Sequence, residues 1–205
     1  MEQSVKTLQH ITSALVDAGM TLYTRGWVPA TSGNFSARYN HDKIAITVSG
    51  RDKGSLTPDD IMIIDSHGRA ADNRKPSAEA LLHTMIYKHF PDMNAVLHTH
   101  SINATLISRL TNNELKLSGY EILKAFDRIS THETSICIPI FLNDQDIARL
   151  SHKVVMYLEN NPPIFGFLIT GHGLYTWGRS IQETLRHLEA FEFLFECELK
   201  LMGVR

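Results

Sequence analysis

Apolar residues at helical spacing predict five helices in this chain of 205 residues. The first helix is expected where the apolar positions are Val5, Leu8, Ile11, Leu15 and Ala18. The same period covers three internal segments, 75–90, 102–110 and 144–163. It also covers a long last segment whose apolar positions are Ile181, Leu185, Leu188, Phe195 and Leu201.

Polar residues and prolines at the predicted helix boundaries support these assignments. Ser77 and Ser101 stand where a hydroxyl would accept a hydrogen bond from the first amides of the following helix. Ser180 precedes Glu183 by three residues, which is the pattern of a capping box. The two prolines at 162–163 indicate the end of the helix before them.

Short runs of β-branched and other apolar residues between the helices predict strands over 44–49, 61–65, 95–100 and 135–141. Segment 164–177 has the composition of two strands joined by a glycine turn at 171–173. Segments 26–36 and 50–60 are rich in glycine, proline and small polar residues, so loops are expected there.

The order of these elements predicts a single α/β domain. Helices alternate with single strands or strand pairs, which is typical of a layered domain of mixed class. No repeat, low-complexity segment or linker divides the sequence, so residues 1–205 are expected to form one unit. The order of the strands within the sheet does not follow from the pattern.

The composition of the chain gives no indication of nucleic-acid binding or of a membrane span. Apolar residues make up 43% of the chain and the net charge is −2, as in ordinary soluble proteins. The sequence has no basic excess for nucleic acid and no long apolar run for a membrane span. The polar amino-terminal segment lacks the apolar core of a signal peptide, so we expect a cytoplasmic protein. Cys137 and Cys197 match no metal or redox spacing, and we expect buried free thiols.

The stretch AVLHTHS places two histidines one residue apart directly after an apolar run. Because side chains alternate between the faces of a strand, His98 and His100 would project to the same side. Neutral imidazoles in that arrangement suit zinc and other first-row metals. An isolated pair of this kind is also found among ordinary surface and packing histidines, so the spacing leaves both interpretations open.

A catalytic zinc site needs a third protein ligand, and His172 is the best candidate. It lies between two glycines after a buried apolar run, where the backbone can turn sharply and approach a neighbouring strand. A structural role remains the alternative. The other histidines considered lack such a setting and are expected to be solvated or packing residues: His83, His89, His132, His152 and His187.

Two glutamates are candidates for acid–base chemistry. Glu79 lies on the helix just before the histidine strand, and the segment KPSAE before it could hold an anion with Ser77 and the first-turn amides. Glu121 lies in SGYEILKAF, with Lys124 one helical turn later. For each glutamate, an ordinary solvated surface position is the alternative.

The segments ATSGNFS and TVSGRDKG combine glycines, small hydroxyls and exposed amides, which form concave anion sites. Neither has the lysine and glycine spacing of a nucleotide-binding loop. Each segment taken singly is also compatible with a plain tight turn.

Five motifs, SGNFS, TVSG, KPSAE, HTH and GHGL, occur in this order along the chain. With them the chain resembles the class II aldolase and adducin-head family of metal-dependent sugar-phosphate aldolases and epimerases, from about residue 8 to the last helix. The resemblance implies a three-layer α/β/α fold with a central, mainly antiparallel sheet. It also implies a homotetramer with its site at a subunit interface and a ketose phosphate as substrate.

The resemblance further implies roles for individual residues. One Zn²⁺ or other divalent ion per subunit would be held by His98, His100 and His172. A phosphate cradle would include Asn34, Ser49, Gly50 and Ser77. In the family's aldolases the glutamate that matches Glu79 is the acid–base residue. Many of those aldolases carry a second serine where this chain has Ala78, so one phosphate contact of theirs is missing here.

Within the family, the stretches GWVPATSGNFSAR, SGRDKGSLTPDDIMIID and KPSAEALLH are most similar to dehydratases of the methionine salvage pathway. In those enzymes the segment that matches LSGYEILKAF carries the proposed acid–base glutamate, which falls on Glu121, although GYE replaces a more polar pair there. The expected reaction is therefore metal-dependent dehydration of a ketose 1-phosphate. Aldol cleavage or 4-epimerisation is the alternative. A non-catalytic domain like the adducin head is disfavoured, because the three histidines are present.

Overall fold

The computed structural model of the protein describes residues 8–203, which form five α-helices and one eight-stranded sheet. The helices are α1 (Leu8–Thr24), α2 (Ala80–His89), α3 (Ile102–Leu110), α4 (Ile147–Asn160) and α5 (Ile181–Leu201). The strands are β1 (Asn34–Arg38), β2 (Lys43–Thr47), β3 (Ile61–Asp65), β4 (Ala95–Thr99), β5 (Glu114–Ser118), β6 (Ser135–Phe141), β7 (Gly166–Ile169) and β8 (Gly173–Gly178). Short 3₁₀ turns cover Pro58–Asp60 and Glu121–Ala125.

The sheet has the strand order β3-β2-β1-β4-β8-β7-β6-β5. All neighbouring strands are antiparallel except β6 and β7, which pair in parallel. The prediction of a central, mainly antiparallel sheet is therefore confirmed. The order itself, with β4 at the centre between β1 and β8, is what the sequence pattern left open.

Helices cover both faces of the sheet, so the predicted three-layer arrangement is confirmed as well. Helices α1, α3 and α5 pack with the sheet around one apolar cluster, and α2 and α4 pack around a second. Alternation along the strands divides the side chains between the two clusters. On β8, for example, Leu174 joins the first cluster, whereas Tyr175 and Trp177 join the second.

Most predicted elements are present with shifted ends. The predicted strands 61–65 and 135–141 are β3 and β6 without change. The predicted strand 95–100 ends at Thr99, one residue before the second histidine. The first predicted helix is α1 from Leu8 onward, and Val5 lies outside the described residues.

Two strands were missed by the sequence analysis. Strand β1 begins inside segment 26–36, which its composition had assigned to a loop. Both faces of β1 are buried, and one of them carries polar Asn34 and Ser36 in place of apolar residues, so its pattern does not resemble that of a strand. Strand β5 alternates exposed and buried residues over only five positions at the sheet edge, with Leu115 and Leu117 inward. A pattern that short is easily overlooked.

The predicted N-caps have different outcomes. The hydroxyls of Ser101 and Ser180 accept hydrogen bonds at the starts of α3 and α5, as predicted. The Glu183 carboxylate bonds the amide of Arg179 instead of closing the predicted box. Ser77 does not cap α2: the helix begins at Ala80 with Glu79 at the N-cap, and Pro76 before it forms an isolated β-bridge with Val48.

Two further expectations concern cysteines and membranes. Cys137 and Cys197 are free, as expected, but they are half-buried and not buried. Within residues 8–203, no helix has the length and apolar character that crossing a membrane requires.

Candidate active site

The centre of the sheet carries a polar seam on the face that α2 covers. Strand β4 pairs with β1 on one side and β8 on the other, and His98 is aligned with Asn34 and with Tyr175. Val96, two residues before His98, belongs to the apolar cluster under α2, so His98 points towards the same helix. Strand register therefore places a fully buried histidine beside a buried amide and an aromatic ring.

His98, His100 and His172 converge at the end of this seam, as the resemblance implied. The Nε2 atom of His98 lies 3.3 Å from that of His172 and 2.8 Å from that of His100. Two nitrogens bound to one tetrahedral zinc at about 2.0–2.1 Å would be about 3.3 Å apart. The His98–His172 distance matches this value and the His98–His100 distance is shorter, so the three donors lie close enough together to hold a small divalent ion. Three imidazoles would leave a coordination position open for substrate.

Two glycines bring His172 to the cluster in the way the sequence predicted. Gly171 adopts φ +64°, a left-handed conformation that favours glycine. A Cβ at Gly173 would lie 1.9 Å from the carbonyl oxygen of Thr99, so only glycine lets β8 begin this close to β4. The amide of Gly171 donates to the hydroxyl of Ser108, which fixes the turn to α3.

The protonation of the histidines also suits metal binding. The Nδ1–H of His98 donates to the carbonyl oxygen of Leu174 at 2.9 Å, which leaves the lone pair on Nε2. Burial, and then the neighbouring His172, hold the pKa of His98 well below its usual range. Burial and the neighbouring histidines lower the pKa of His100 to about 3. Both imidazoles are therefore neutral at pH 7, which is the form that binds metals.

Glu79 faces the histidine cluster. Its two carboxylate oxygens lie 3.5 Å from Nε2 of His98 and 3.3 Å from Nε2 of His172. The side chain is only 14% exposed, and its position before the first turn of α2 aims it into the site. A carboxylate here could exchange a proton with a molecule bound at the cluster.

A directional hydrogen-bond chain holds Glu79. Burial lowers the pKa of His83 to about 4, so this histidine is neutral and carries one proton. Since the Oδ1 atom of Asn34 can only accept, the His83 proton is on Nε2, and Nδ1 accepts from Ser36 at 2.7 Å. The Nδ2 amide of Asn34 then donates to Glu79 at 2.7 Å. Tyr87 completes the chain by donating to Ser36 at 2.9 Å.

The predicted phosphate residues line one small cavity next to the cluster. This cavity of about 170 Å³ is lined by Thr31, Ser32, Gly33, Asn34, Val48, Ser49, Gly50, Ser77, Glu79 and His100. All four residues of the predicted cradle are among them, so the structure brings them together. Because Glu79 and His100 line the same cavity, an anion in the cradle would lie close to the carboxylate and the histidine cluster.

Gly33 allows the first loop of the cradle to rest on β4. It has φ +75°, and a Cβ there would come within 2.6 Å of the carbonyl oxygen of His98 and 2.9 Å of Val28. We expect Gly33→Ala to destabilise the protein by at least about 2 kcal/mol in urea unfolding, from strain and backbone collision together. Gly26→Ala is the matched control, since Gly26 has φ +73° but open space around its Cβ. Equal losses for the two variants would contradict the collision.

Glu121, the other predicted acid–base residue, is not brought to this cluster within the chain. It begins the 3₁₀ turn Glu121–Ala125, and its side chain is 71% exposed. A hydrogen bond from Lys124 lowers its pKa, and the charges of Lys124 and His132 act in the same direction. The raised pKa expected of a buried catalytic carboxylate is therefore not met in an isolated protomer.

Three buried residues near the site were not singled out by the sequence analysis. His83 was taken for a solvated or packing histidine, yet its position four residues after Glu79 on α2 was a signal that both face the site. Lys53 and Glu192 are buried charged groups, and no local pattern marks them. Burial raises the pKa of Glu192 to about 7, and its carboxylate accepts from Ser101 at 2.6 Å, next to His100.

Comparison with known proteins identifies relatives over nearly the full length. The model of the class II aldolase and adducin N-terminal domain matches residues 13–199. A methylthioribulose-1-phosphate dehydratase of Methylococcus capsulatus is 54% identical over 191 residues, which cover 93% of this chain and 94% of that protein. The enzyme of the same name from Pseudomonas fluorescens is 52% identical and covers 97% of this chain and 96% of its own.

Solved structures share the fold at lower sequence identity. YgbL of Klebsiella pneumoniae superposes with a TM-score of 0.81 at 22% identity, covering 95% of this chain and 91% of its own. L-fuculose-1-phosphate aldolase from Thermus thermophilus superposes with a TM-score of 0.76 at 21% identity, covering 97% of this chain and all of its own. At these identities the likeness supports the architecture alone.

Proposed function

This chain belongs to the class II aldolase and adducin N-terminal domain family, and on that basis we propose that it is a methylthioribulose-1-phosphate dehydratase. The reaction would convert 5-methylthioribulose 1-phosphate to 2,3-diketo-5-methylthiopentyl 1-phosphate in methionine salvage. The choice of reaction rests on one observation. Dehydratases of that name share more than half of their residues with this chain, over at least nine-tenths of both sequences.

The site geometry supports a substrate of this chemical class. A ketose 1-phosphate has its phosphate on the carbon next to the carbonyl, so both groups must bind close together. Here the proposed cradle of Asn34, Ser49, Gly50 and Ser77 shares one cavity with Glu79 and His100. A cradle that shares its cavity with His100 therefore agrees with a substrate whose phosphate and carbonyl lie close together.

His98, His100 and His172 would hold one divalent ion, and we propose Zn²⁺ because three imidazoles and an open position suit it. When bound, this ion would supply a Lewis acid that polarises the C2 carbonyl and stabilises negative charge on its oxygen. The Nδ1–H bond of His98 to Leu174 orients that ligand, and stacking on Tyr175, with ring centroids 3.9 Å apart, fixes its plane.

The dehydration needs a base and an acid. A carboxylate takes the proton from C3, the C3–H electron pair forms a C2=C3 double bond, and the carbonyl pair moves onto the C2 oxygen, which gives an enediolate. The C4 hydroxyl then leaves with a proton as water, and the remaining enol tautomerises to the 2,3-diketone. We assign this proton transfer to Glu79, whose carboxylate accepts a hydrogen bond from the Asn34 amide, and Glu121 is the second candidate. Positioned acid–base catalysis contributes about 10²–10⁴-fold.

The cellular setting of the enzyme is also part of this proposal. We propose a cytoplasmic homotetramer, as the family resemblance implies, with the site at a subunit interface. In that arrangement Glu121, which is 71% exposed in one protomer, would complete the site of another. The substrate is a small molecule, and the net charge of −2 gives no basis for binding nucleic acid.

Product analysis tests the proposed function. We expect zinc-loaded protein to convert 5-methylthioribulose 1-phosphate to the 2,3-diketone phosphate. The formation of this product is followed by NMR. Chelation of the metal should stop the reaction, and added zinc should restore it. Exposed His152, on α4, gives a matched control, since His152→Ala should turn over at the wild-type rate.

Other products would overturn the proposal in different ways. Cleavage to dihydroxyacetone phosphate and an aldehyde would mean an aldolase with Glu79 as its base. Epimerisation at C4 of a pentulose phosphate would indicate the sister activity. A purified protein that carries no metal and gains no thermal stability from zinc would revive the non-catalytic interaction domain.

A further inference from the structure

Lys53 is a buried cation beside the proposed phosphate cradle. The side chain is 1% exposed, although lysine is rarely buried without a compensating charge. It lies under α1, where a Cβ at Gly19 would come within 2.6 Å of the Lys53 carbonyl oxygen. Segment 50–60 has the composition of a solvated loop, so the burial of the Lys53 ammonium group requires an explanation.

The Nζ atom of Lys53 joins the two loops that form the cradle. It donates to the carbonyl oxygen of Thr31 at 3.1 Å and to that of Arg51 at 2.6 Å. Thr31 lines the cavity in the first loop, and Arg51 directly follows Gly50 in the second. One side chain therefore sets the spacing between the two segments that contact the cavity.

The charge of Lys53 is not neutralised by a close carboxylate. Within residues 8–203, no carboxylate oxygen lies within 4.0 Å of its Nζ, and its bonds go to two backbone carbonyls. Desolvation lowers its pKa to about 8, while the charge of Asp52 acts in the opposite direction. Its field also reaches the histidines, since it contributes to the lowered pKa values of His98 and His100.

We propose that Lys53 is a positioning residue for the substrate phosphate, which joins the two cradle loops through Thr31 and Arg51 and supplies a fixed positive charge behind them. This inference rests on the proposed function, in which the cavity holds a phosphate. The bound dianion would be the counter-charge that the buried ammonium lacks in the protein. Lys53 does not line the cavity, so it acts through the loops and through its field.

The test compares Lys53→Met with the wild type. Met has similar length without charge or donors, and we expect KM for the phosphorylated substrate to rise about tenfold or more, with kcat changed less. Inorganic phosphate should raise the melting temperature of the wild type and lose that effect in the variant. Zinc content per protomer should stay unchanged, which separates a phosphate role from damage to the histidine cluster.

Two further variants separate charge from packing. Lys53→Gln keeps a donor towards the carbonyls but no charge, and it should also weaken phosphate protection. Lys53→Arg keeps the charge and should restore most of it. If Lys53→Met does not fold, the Gln and Arg variants carry the comparison. Lys43→Met is the matched control, because Lys43 is exposed at the start of β2.

The role of Lys53 would be overturned if the variants without charge kept the wild-type KM and the wild-type rise in melting temperature with inorganic phosphate. An equal loss of zinc and kcat with phosphate binding intact would also overturn it. A wild-type protein that binds inorganic phosphate through Lys53 but forms no diketone would remove the proposed reaction and keep this inference. The two proposals therefore fail on different measurements.

Discussion

Replacement of His98 by alanine is expected to remove the bound metal and to lower turnover by at least about 10³-fold. His98 is central among the proposed ligands, since its Nε2 faces those of both His100 and His172. Without it two imidazoles remain, which is fewer than the three protein ligands of a catalytic zinc site. The stabilisation of charge on the C2 oxygen, worth several kcal/mol, would be lost with the ion.

The measurement is metal content by elemental analysis together with the rate of diketone formation. Because His98 is fully buried and bonds Leu174, its removal also affects packing, so His100→Ala serves as a second variant at a half-buried position. Both should lose metal, whereas His152→Ala should keep it. Retention of one ion per protomer and wild-type turnover in His98→Ala would exclude the histidine cluster as the metal site.

The histidine cluster illustrates what local sequence can predict. The alternation of strand residues indicated that His98 and His100 share a side, and the flanking glycines indicated a close turn at His172. Both expectations concern residues within a few positions of each other. The distance between the two motifs is set by the pairing of β4 with β8, which no local pattern specifies.

The hydrogen bonds that hold the site residues in place depend on the register of the strands, and the sequence analysis did not predict them. Asn34 meets His98 because β1 and β4 pair at that position, and it reaches His83 and Glu79 because α2 crosses the same face. Strand β1 was missed because the buried face that it turns towards α2 carries polar Asn34 and Ser36, and Asn34 is also part of the site. Polar residues on a buried face weaken the hydrophobic alternation by which strands are recognised.

The burial of Lys53 is a second feature that the sequence did not predict. Lys53 lies in a segment whose composition predicts an exposed turn, yet its side chain is buried and α1 approaches its backbone closely. Burial of a long charged side chain depends on contacts between elements far apart in sequence. The resemblance to the family identified the cradle residues that touch the cavity, but not the group behind them.

The sequence resemblance to dehydratases favours Glu121 as the base, whereas in the structure Glu79 lies at the histidine cluster. The variant Glu79→Gln tests whether Glu79 is the base. We expect this variant to lower kcat by about 10²–10⁴-fold while it keeps its metal and its affinity for inorganic phosphate. Glutamine retains the acceptor for the Asn34 amide but cannot take a proton near neutral pH. Glu159→Gln, at an exposed position on α4, should have no effect. Wild-type kcat in Glu79→Gln would exclude Glu79 from proton transfer.

Glu121→Gln decides whether one protomer suffices. If Glu79 performs both proton transfers, this variant stays active, because Glu121 is 71% exposed and paired with Lys124 in its own chain. If it loses as much activity as Glu79→Gln, Glu121 must enter the site of a neighbouring copy. Co-refolding the two inactive variants then distinguishes the cases. Mixed oligomers should regain activity if each site takes its two carboxylates from different protomers, since some sites would then contain both native residues.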